Sequence, residues 1–456
     1  MYDLVLKECL LMDGYHEWCG DLAINGEKIA ALGEGLAGKR ELAFSGKWVM
    51  PGAIDVHTHM NLTFAGAISA DSFLTGTQAA AWGGVTTIID FTAQNADEGI
   101  REGYSRRLQE ASEACIDYSF HACIGRLNDK VRNDIEWAAD EGLTSLKIFM
   151  AYRRIGNMLD DDAIYELLEK NANAGILTTV HAENGPIIDF LTDRAVKQGK
   201  TGIESLSVSH PVVTEVESVR RISSFASETK APVYIVHLSA GSSVPEIRRA
   251  RKMGTLVFAE TCPQYLYLDD SNLQGSTGHM FGCCPPIRPL KEQVLLWDGL
   301  RRGEIQVVAT DHCPFTSANK NIWNGDFTKL PMGLPGIETL PAFVLWGAQN
   351  SYLDRSTAVR ALTGGPARMF GLYPEKGSLI PGTDADILVF DPEKEVTIAA
   401  KNLHMATDYS PYEGTKGLGW PVMTISRGEI LVENGKLTAE AGRGRFLARS
   451  IFSSRA

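Results

Sequence analysis

Eight short apolar runs lie between residues 53 and 312, and most of them lack a regular alternation of polar and apolar residues. They are rich in Val, Ile, Thr, Phe and Tyr, which is typical of strands buried on both faces of a parallel sheet. The runs are AIDVHTHM (53–60), VTTIIDF (85–91), IDYSFHACI (116–124), SLKIFMA (145–151), LTTVHAE (177–183), PVYIVHLS (232–239), LVFAETCP (256–263) and IQVVATDH (305–312). Helix-like spacers separate them, and several spacers end in a glycine that suits a helix C-cap.

Eight strands that alternate with helices predict an α/β fold, a (β/α)8 TIM-type barrel. The alternative is an open, doubly wound sheet. The barrel is favoured because polar residues that end the first and the last strand have to meet, and closure of the sheet brings them together.

The two ends of the chain show a different pattern, with short β-like runs and an Asn-Gly pair at each end, Asn25-Gly26 and Asn434-Gly435. An Asn-Gly pair between apolar runs is a strong signal for a hairpin. We therefore expect residues 1–50 and 373–440 to form a smaller β-sandwich domain around a barrel of residues 51–372. The Arg-rich residues 441–456 are predicted to form a C-terminal arm, which either reaches a neighbouring subunit or frays.

Composition narrows the class of protein. The 456 residues exceed the ~250–300 at which a single core stops growing, which agrees with a large domain and a smaller one. The net charge of -12 argues against a nucleic-acid partner. No apolar stretch approaches the ~20 residues of a membrane span, and the N-terminal segment does not resemble a signal peptide. Eight cysteines without a CxxC pair are typical of reduced thiols, so the sequence predicts a cytoplasmic protein without a membrane partner.

Six polar residues end five of the predicted strands, and the C-terminal ends of barrel strands meet at one rim. They are His57, His59, Lys147, His181, His237 and Asp311. A single buried histidine is more often a core residue than a ligand. Four clustered imidazoles without a metal would repel each other when protonated and would waste hydrogen bonds when neutral. The pattern therefore predicts a metal site, with room for two metals.

Imidazole and carboxylate ligands without a thiolate favour zinc, and they also suit manganese, cobalt, nickel or iron. Two such cations would lower the pKa of water from 15.7 towards ~7, which makes a nucleophile for a carbonyl group. Asp311 could take the proton of that water and pass it to a leaving nitrogen. These features predict a hydrolase.

Lys147 is the unusual member of the set, because an ammonium group next to two cations would be repelled. Its pKa could fall so that the amine stays neutral. The neutral amine could instead react with CO2 and become a carbamate that bridges the metals. A lysine that extends to solvent is the third interpretation, and the residues alone leave all three open.

The chain resembles the hydantoinase/dihydropyrimidinase family of the amidohydrolase superfamily over nearly its whole length. The similar segments are PGAIDVHTHM, SLKIFMAY, VHAEN, YIVHLS, ETCPQYL, VATDHCPF and GSLIPGTDADILVFD. The segment DYSPYEG (408–414) is more selective and is similar to the branch of bacterial D-hydantoinases and phenylhydantoinases. Allantoinases and dihydroorotases usually differ there.

This resemblance assigns roles to the six residues. It implies that His57 and His59 hold one metal together with Asp311, which also moves the proton, and that the histidines of the fifth and sixth strands hold the other. Lys147 would be an N6-carboxylysine, formed with CO2, that bridges two divalent metal ions, with zinc favoured.

The resemblance also implies how substrate is held. Tyr152 matches the family's oxyanion-binding tyrosine. The family binds the substrate ring largely through backbone groups at the positions of Cys284 and Met332, where it usually has Ser and Asn. Apart from the resemblance, the position of apolar residues near the ends of the first and fourth strands predicts a hydrophobic wall for an exocyclic group. These residues are Met60, Leu62, Phe64, Phe149 and Ile155.

The implied activity is hydrolytic opening of a cyclic amide or imide ring, in a 5-substituted hydantoin or a dihydropyrimidine, to an N-carbamoyl amino acid. The partner would be a small cyclic ureide or imide, and relatives suggest a homo-oligomer, a tetramer or a dimer. Allantoin or dihydroorotate is the alternative substrate. A non-catalytic scaffold is the remaining alternative, and the complete ligand set argues against it.

Overall fold

Eight parallel strands form a closed barrel in the computed structural model, which describes residues 1–453. Each predicted run contains one of them: Ala53–Thr58, Val85–Phe91, Asp117–Cys123, Ser145–Phe149, Leu177–His181, Val233–Ile235, Val257–Thr261 and Val307–Val308. The strands pair in chain order. A parallel bridge between Thr58 and His312 joins the first strand to the segment after the last one. The predicted barrel is confirmed.

Helices occupy the spacers between the strands. The α-helices are Phe73–Trp82, Ile100–Glu110, Asp129–Asp140, Asp161–Ala174, Gly185–Lys197, Glu204–Ser209, Val212–Thr229, Val244–Lys252, Pro263–Tyr267, Leu290–Arg301, Ser317–Lys320, Leu340–Gln349, Arg355–Leu362 and Gly364–Met369. Several begin at a side chain that accepts from the first turn, as Ser72, Asn128 and Asn184 do. Within residues 1–453, no helix combines the length and the apolar content needed to cross a membrane.

The second domain is a β-sandwich built from both ends of the chain. Its strands are Tyr2–Met12, Glu17–Asn25, Lys28–Gly33, Gly38–Ala43, Trp48–Pro51, Ile387–Thr397, Lys416–Ser426, Glu429–Glu433 and Lys436–Leu437. Trp48–Pro51 pairs antiparallel with the start of Ile387–Thr397, which joins the two ends. Both Asn-Gly pairs turn between paired strands. The sandwich has its own apolar core, while the boundaries at residues 50 and 373 stay a prediction.

The described part of the C-terminal arm packs on the barrel of its own chain. The backbone N–H of Leu447 donates to the carbonyl oxygen of Tyr118 (2.7 Å), and the N–H of Tyr118 donates to that of Arg445 (3.0 Å). The ring of Phe446 lies 5.6 Å from that of Phe120 and 5.5 Å from that of Tyr104. The arm thus covers the beginning of the third barrel strand, at the end opposite the predicted site. Residues 454–456 of the predicted arm lie outside the described residues.

Replacing Phe446 by alanine is expected to lower the free energy of unfolding by about 3 kcal/mol, the lower end of the range for a core phenylalanine, because this ring is half-buried. Thermal and urea-induced unfolding would measure the change. Ile451→Ala is the matched control, since that side chain is 56% exposed and its loss should change stability by less than about 0.5 kcal/mol. Equal stability of the two variants would contradict a packing role for the arm.

Candidate metal centre

Three donor atoms from the first strand and the segment after the eighth converge at the C-terminal rim of the barrel. The Nε2 atoms of His57 and His59 lie 3.2 Å and 3.1 Å from Oδ1 of Asp311. The two histidines share one face of their strand because side chains alternate along it. A cluster of two imidazoles and one carboxylate is thus brought together from residues 57 and 311, which are far apart in the chain.

The remaining two predicted histidines form an adjoining pair. Nδ1 of His181 lies 3.0 Å from Nε2 of His237. The His237 ring also lies 5.2 Å from the His57 ring. The pair therefore adjoins the first group, and all four histidines line one cavity.

Lys147 lines the same cavity and is 2% exposed. Its Nζ lies 4.9 Å from the ring centre of Phe91 and 5.4 Å from that of Phe149. Burial lowers the pKa of Lys147 to about 8, although the charges of Asp311 and Glu260 oppose the shift. At pH 7 this amine is therefore mostly protonated, with roughly a tenth of it in the neutral form. The interpretation that it extends to solvent is wrong, because the side chain is buried.

The protonation of the histidines suits metal binding. Burial, and then the charge of Lys147, hold the pKa of His57 and of His237 well below the usual range. These imidazoles are therefore neutral, which is the form that binds a metal. Although Nε2 of His57 lies 3.2 Å from Oδ1 of Asp311, the two atoms do not have the geometry of a hydrogen bond, and this buried nitrogen has no other partner within residues 1–453. A buried ring nitrogen without a partner is costly, so this donor set fits a divalent cation of the zinc type.

Two buried glutamates contact the histidines, and sequence analysis did not single them out. Oε1 of Glu260 lies 2.5 Å from Nδ1 of His57, and it also accepts from the backbone N–H of His237 (3.1 Å). Oε2 of Glu183 lies 2.9 Å from Nε2 of His181. Carboxylates at the second nitrogen of a histidine fix the orientation of the ring. The signal for Glu260 was present, since it is the one charged residue inside the apolar run LVFAETCP.

Three residues of the site have left-handed backbone conformations. The φ angles are +69° at Tyr152, +38° at His237 and +52° at Asp311. Such conformations cost non-glycine residues of the order of 1–3 kcal/mol each, and they tend to cluster at functional sites. Here they turn side chains towards the cavity directly after the strands end.

The cavity has a volume of about 470 Å3 and places Tyr152, Cys284 and Met332 around the same space as the six predicted residues. This volume lies within the usual range for sites that bind small molecules. Of the expected apolar wall, four residues line it, namely Leu62, Phe64, Phe149 and Ile155. Met60 is fully buried and is not among the lining residues, so its expected place in the wall is wrong.

The imidazole of His312 fixes the position of the loop that follows Met332. Its Nε2 lies 3.0 Å from Oδ2 of Asp71, and its Nδ1 accepts from the backbone N–H of Gly336 (3.1 Å). The ring therefore supports the segment that follows Met332, and its neighbour Asp311 gains no side-chain bond from it.

Comparisons with known proteins agree with this geometry. The model of the amidohydrolase family matches residues 48–431. A D-hydantoinase of Streptomyces coelicolor is 39% identical over 457 residues, which cover 98% of this chain and 98% of that protein. A D-phenylhydantoinase of Escherichia coli is 39% identical over 458 residues, with 98% of each chain covered. Among solved structures, a dihydropyrimidinase from Brevibacillus agri superposes with a TM-score of 0.97 at 35% identity and covers 98% of this chain and 99% of that one.

Proposed function

The chain belongs to the amidohydrolase family, in its hydantoinase and dihydropyrimidinase branch, and from this premise we propose that it opens the ring of 5-substituted hydantoins or dihydropyrimidines. It is a metal-dependent cyclic amidohydrolase, and the product is an N-carbamoyl amino acid. The observation that carries the proposal is the convergence of the donor atoms of His57, His59 and Asp311 beside the pair His181 and His237.

Two divalent cations, zinc by preference, would be held by these residues. His57, His59 and Asp311 would bind one cation, and His181 and His237 the other. When bound, such cations lower the pKa of water towards ~7 and polarise a carbonyl group. The neutral imidazoles and the unpartnered Nε2 of His57 support this assignment.

Lys147 would join the two groups of ligands as an N6-carboxylysine. Only a neutral amine can attack CO2, and the pKa of about 8 makes that form available near neutral pH. The attack forms an N–C bond and releases one proton, which leaves a carbamate anion. A negative charge between two cations is favourable, whereas the ammonium form would be repelled.

The protein's own groups would move the proton and bind the substrate. The carboxylate of Asp311 would accept a proton from water and give it to the nitrogen that leaves as the ring opens. Tyr152 would donate a hydrogen bond from its phenol to the carbonyl oxygen that gains charge. The backbone at Cys284 and Met332 would hold the ring, since both residues line the cavity.

Replacing Tyr152 by phenylalanine is expected to lower kcat by about 10²–10³-fold, as the loss of one oxyanion donor does elsewhere. Burial raises the pKa of Tyr152 well above its usual range, so its phenol remains a donor at any working pH. Steady-state kinetics with 5-phenylhydantoin would measure the loss. Tyr165→Phe, on the outer helix Asp161–Ala174, is the control. An unchanged kcat in the Tyr152 variant would exclude a role for this phenol in stabilising the oxyanion.

The arginines at and near the cavity favour a substrate without a carboxylate, and Arg154, two residues after Tyr152, is one of them. Its guanidinium donates to Oδ1 of Asp189 (2.9 Å) and of Asp193 (2.7 Å) and is partly exposed. Arg154 does not line the cavity. The two arginines of residues 1–453 that do line it are paired with carboxylates, Arg106 with Glu98 (2.8 Å) and Arg107 with Asp90 (2.5 Å). The cations that a substrate carboxylate, such as that of dihydroorotate, would need are therefore already occupied. Hydantoins and dihydropyrimidines do not require such a partner.

The deciding experiment combines metal analysis with a ring-opening assay on purified protein, with and without bicarbonate. The substrates are dihydrouracil, hydantoin and 5-phenylhydantoin, followed by allantoin and dihydroorotate. Ring opening with about two metals per chain supports the proposal. Turnover of allantoin or dihydroorotate alone would replace the proposed substrate by that compound. A protein that stays metal-free after reconstitution would favour a non-catalytic scaffold over an enzyme. A cytoplasmic location and a homo-oligomer, tetramer or dimer, stay predictions.

A further inference from the structure

Two separate segments carry the backbone groups that would bind the substrate ring, and a buried lysine connects them. Nζ of Lys320 donates to the carbonyl oxygen of Gly282 (2.7 Å), two residues before Cys284. It also donates to the carbonyl oxygen of Pro331 (2.9 Å), directly before Met332. The N–H of Gly333 donates to the same Gly282 oxygen (3.0 Å).

The environment of Lys320 is unusual for a lysine. The side chain is fully buried, and burial lowers its pKa to about 7. Its titratable neighbours, the thiols of Cys283 and Cys313, supply no counter-charge, because burial raises the pKa of each thiol and keeps it protonated. Among residues 1–453, no carboxylate forms an ion pair with it. Burying an amine in this way is costly, and both of its bonds go to segments that line the cavity at Cys284 and Met332, which favours a role in the site.

The segment that carries Lys320 is itself anchored on both sides. Ser317 donates its backbone N–H to Oδ1 of Asp408 (2.7 Å). Nε2 of His279 lies 2.9 Å from Oδ1 of Asn321, and the His279 ring stacks on Trp323 at 4.9 Å. The bond to Asp408 therefore holds the Lys320 segment independently of the two segments that Lys320 bonds. His279, in contrast, ties it to the turn Gly278–Phe281 directly before Gly282.

We propose that Lys320 is a positioning residue, which fixes residues 282–284 and 331–333 at the separation that a planar cyclic substrate requires. The inference rests on the proposed function and extends it, because it assigns recognition of the ring itself to a residue outside the cavity. Lys320 should affect the binding of all substrates of the enzyme equally, since it positions the backbone groups that bind the ring and not those that contact the exocyclic group.

The test is Lys320→Met, which keeps the length of the side chain and removes the donors. KM is expected to rise about 10–100-fold for both hydantoin and 5-phenylhydantoin, while kcat and the metal content stay close to those of the wild type. Lys320→Gln retains a shorter donor and should give an intermediate KM. Lys329→Met is the control on the same segment, because that side chain is 69% exposed.

Several outcomes would overturn the proposal. A lowered melting temperature with an unchanged KM would make Lys320 a structural residue only. A KM that rises for only one of the two substrates would place the effect on the exocyclic group, and a loss of metal would place it on the metal centre. If Lys320→Met does not fold, Lys320→Gln provides the same comparison. A wild-type protein that opens no cyclic ureide or imide would instead refute the proposed function, and the role of Lys320 with it.

Discussion

Replacing Lys147 by alanine is expected to lower kcat by at least about 10³-fold, because metal ions supply several kcal/mol of transition-state stabilisation and this residue would connect the two ions. Bound metal should fall as well, from about two ions per chain to one or none. Metal analysis and ring-opening kinetics measure both effects. Short carboxylic acids such as propionate should restore part of the activity, since they fit the vacated space and offer bridging oxygens.

Lys147→Met is the control for this rescue, and carbon-13 labelling separates a carbamate from a simple amine. The methionine side chain fills the space, so propionate should not restore activity. Carbon-13-labelled bicarbonate should give a carbamate signal in the NMR spectrum of the wild type and none in either variant. Wild-type activity in both variants would exclude a ligand role for Lys147. Activity without any carbamate signal would favour the neutral amine, which the sequence also allowed.

Replacing Asp311 by asparagine is expected to lower kcat by about 10²–10⁴-fold, the usual contribution of a general base. Asparagine keeps an oxygen that can bind a metal but cannot accept the proton of water. Most of the bound metal should therefore remain, and the separation of activity from metal content is the informative result.

Asp391→Asn is the matched control, because Asp391 lies in the sandwich and pairs with Lys47 (2.9 Å). It should leave kcat unchanged. If the Asp311 variant loses metal in proportion to its activity, Asp311 is a ligand without a separate role in proton transfer.

The fold and the position of the candidate site were accessible from the sequence for a simple reason. Strands buried on both faces leave uninterrupted apolar runs, and the first polar residues after such runs lie at one rim of a barrel. His57, His181 and Asp311 could be placed in this way without any knowledge of their contacts. The pairs Asn25-Gly26 and Asn434-Gly435 were equally local signals, and each predicted a hairpin.

What the sequence could not show depends on contacts between distant segments. Glu260 contacts His57 across 203 positions of the chain, and no local pattern encodes that pairing. The left-handed conformations of His237 and Asp311 oppose the ordinary preference of these residues, so they could not be predicted from local propensity. Met60 and Leu62 are two residues apart and would share a face in a continuous strand. The left-handed backbone at Asn61 (φ +52°) ends that alternation, so Met60 turns into the core while Leu62 lines the cavity.

The pairing of Trp48–Pro51 with Ile387–Thr397 has a consequence for biosynthesis. A ribosome adds about 5–20 residues per second, so residues 52–386 separate the synthesis of these two strands by roughly 15–70 s. During that time the N-terminal strands are outside the exit tunnel with unpaired edges and an uncovered apolar face. The barrel segment is synthesised before the C-terminal strands, while the N-terminal strands still lack their partners. Aggregation, or capture by a chaperone, therefore competes with closure of the sandwich at this stage.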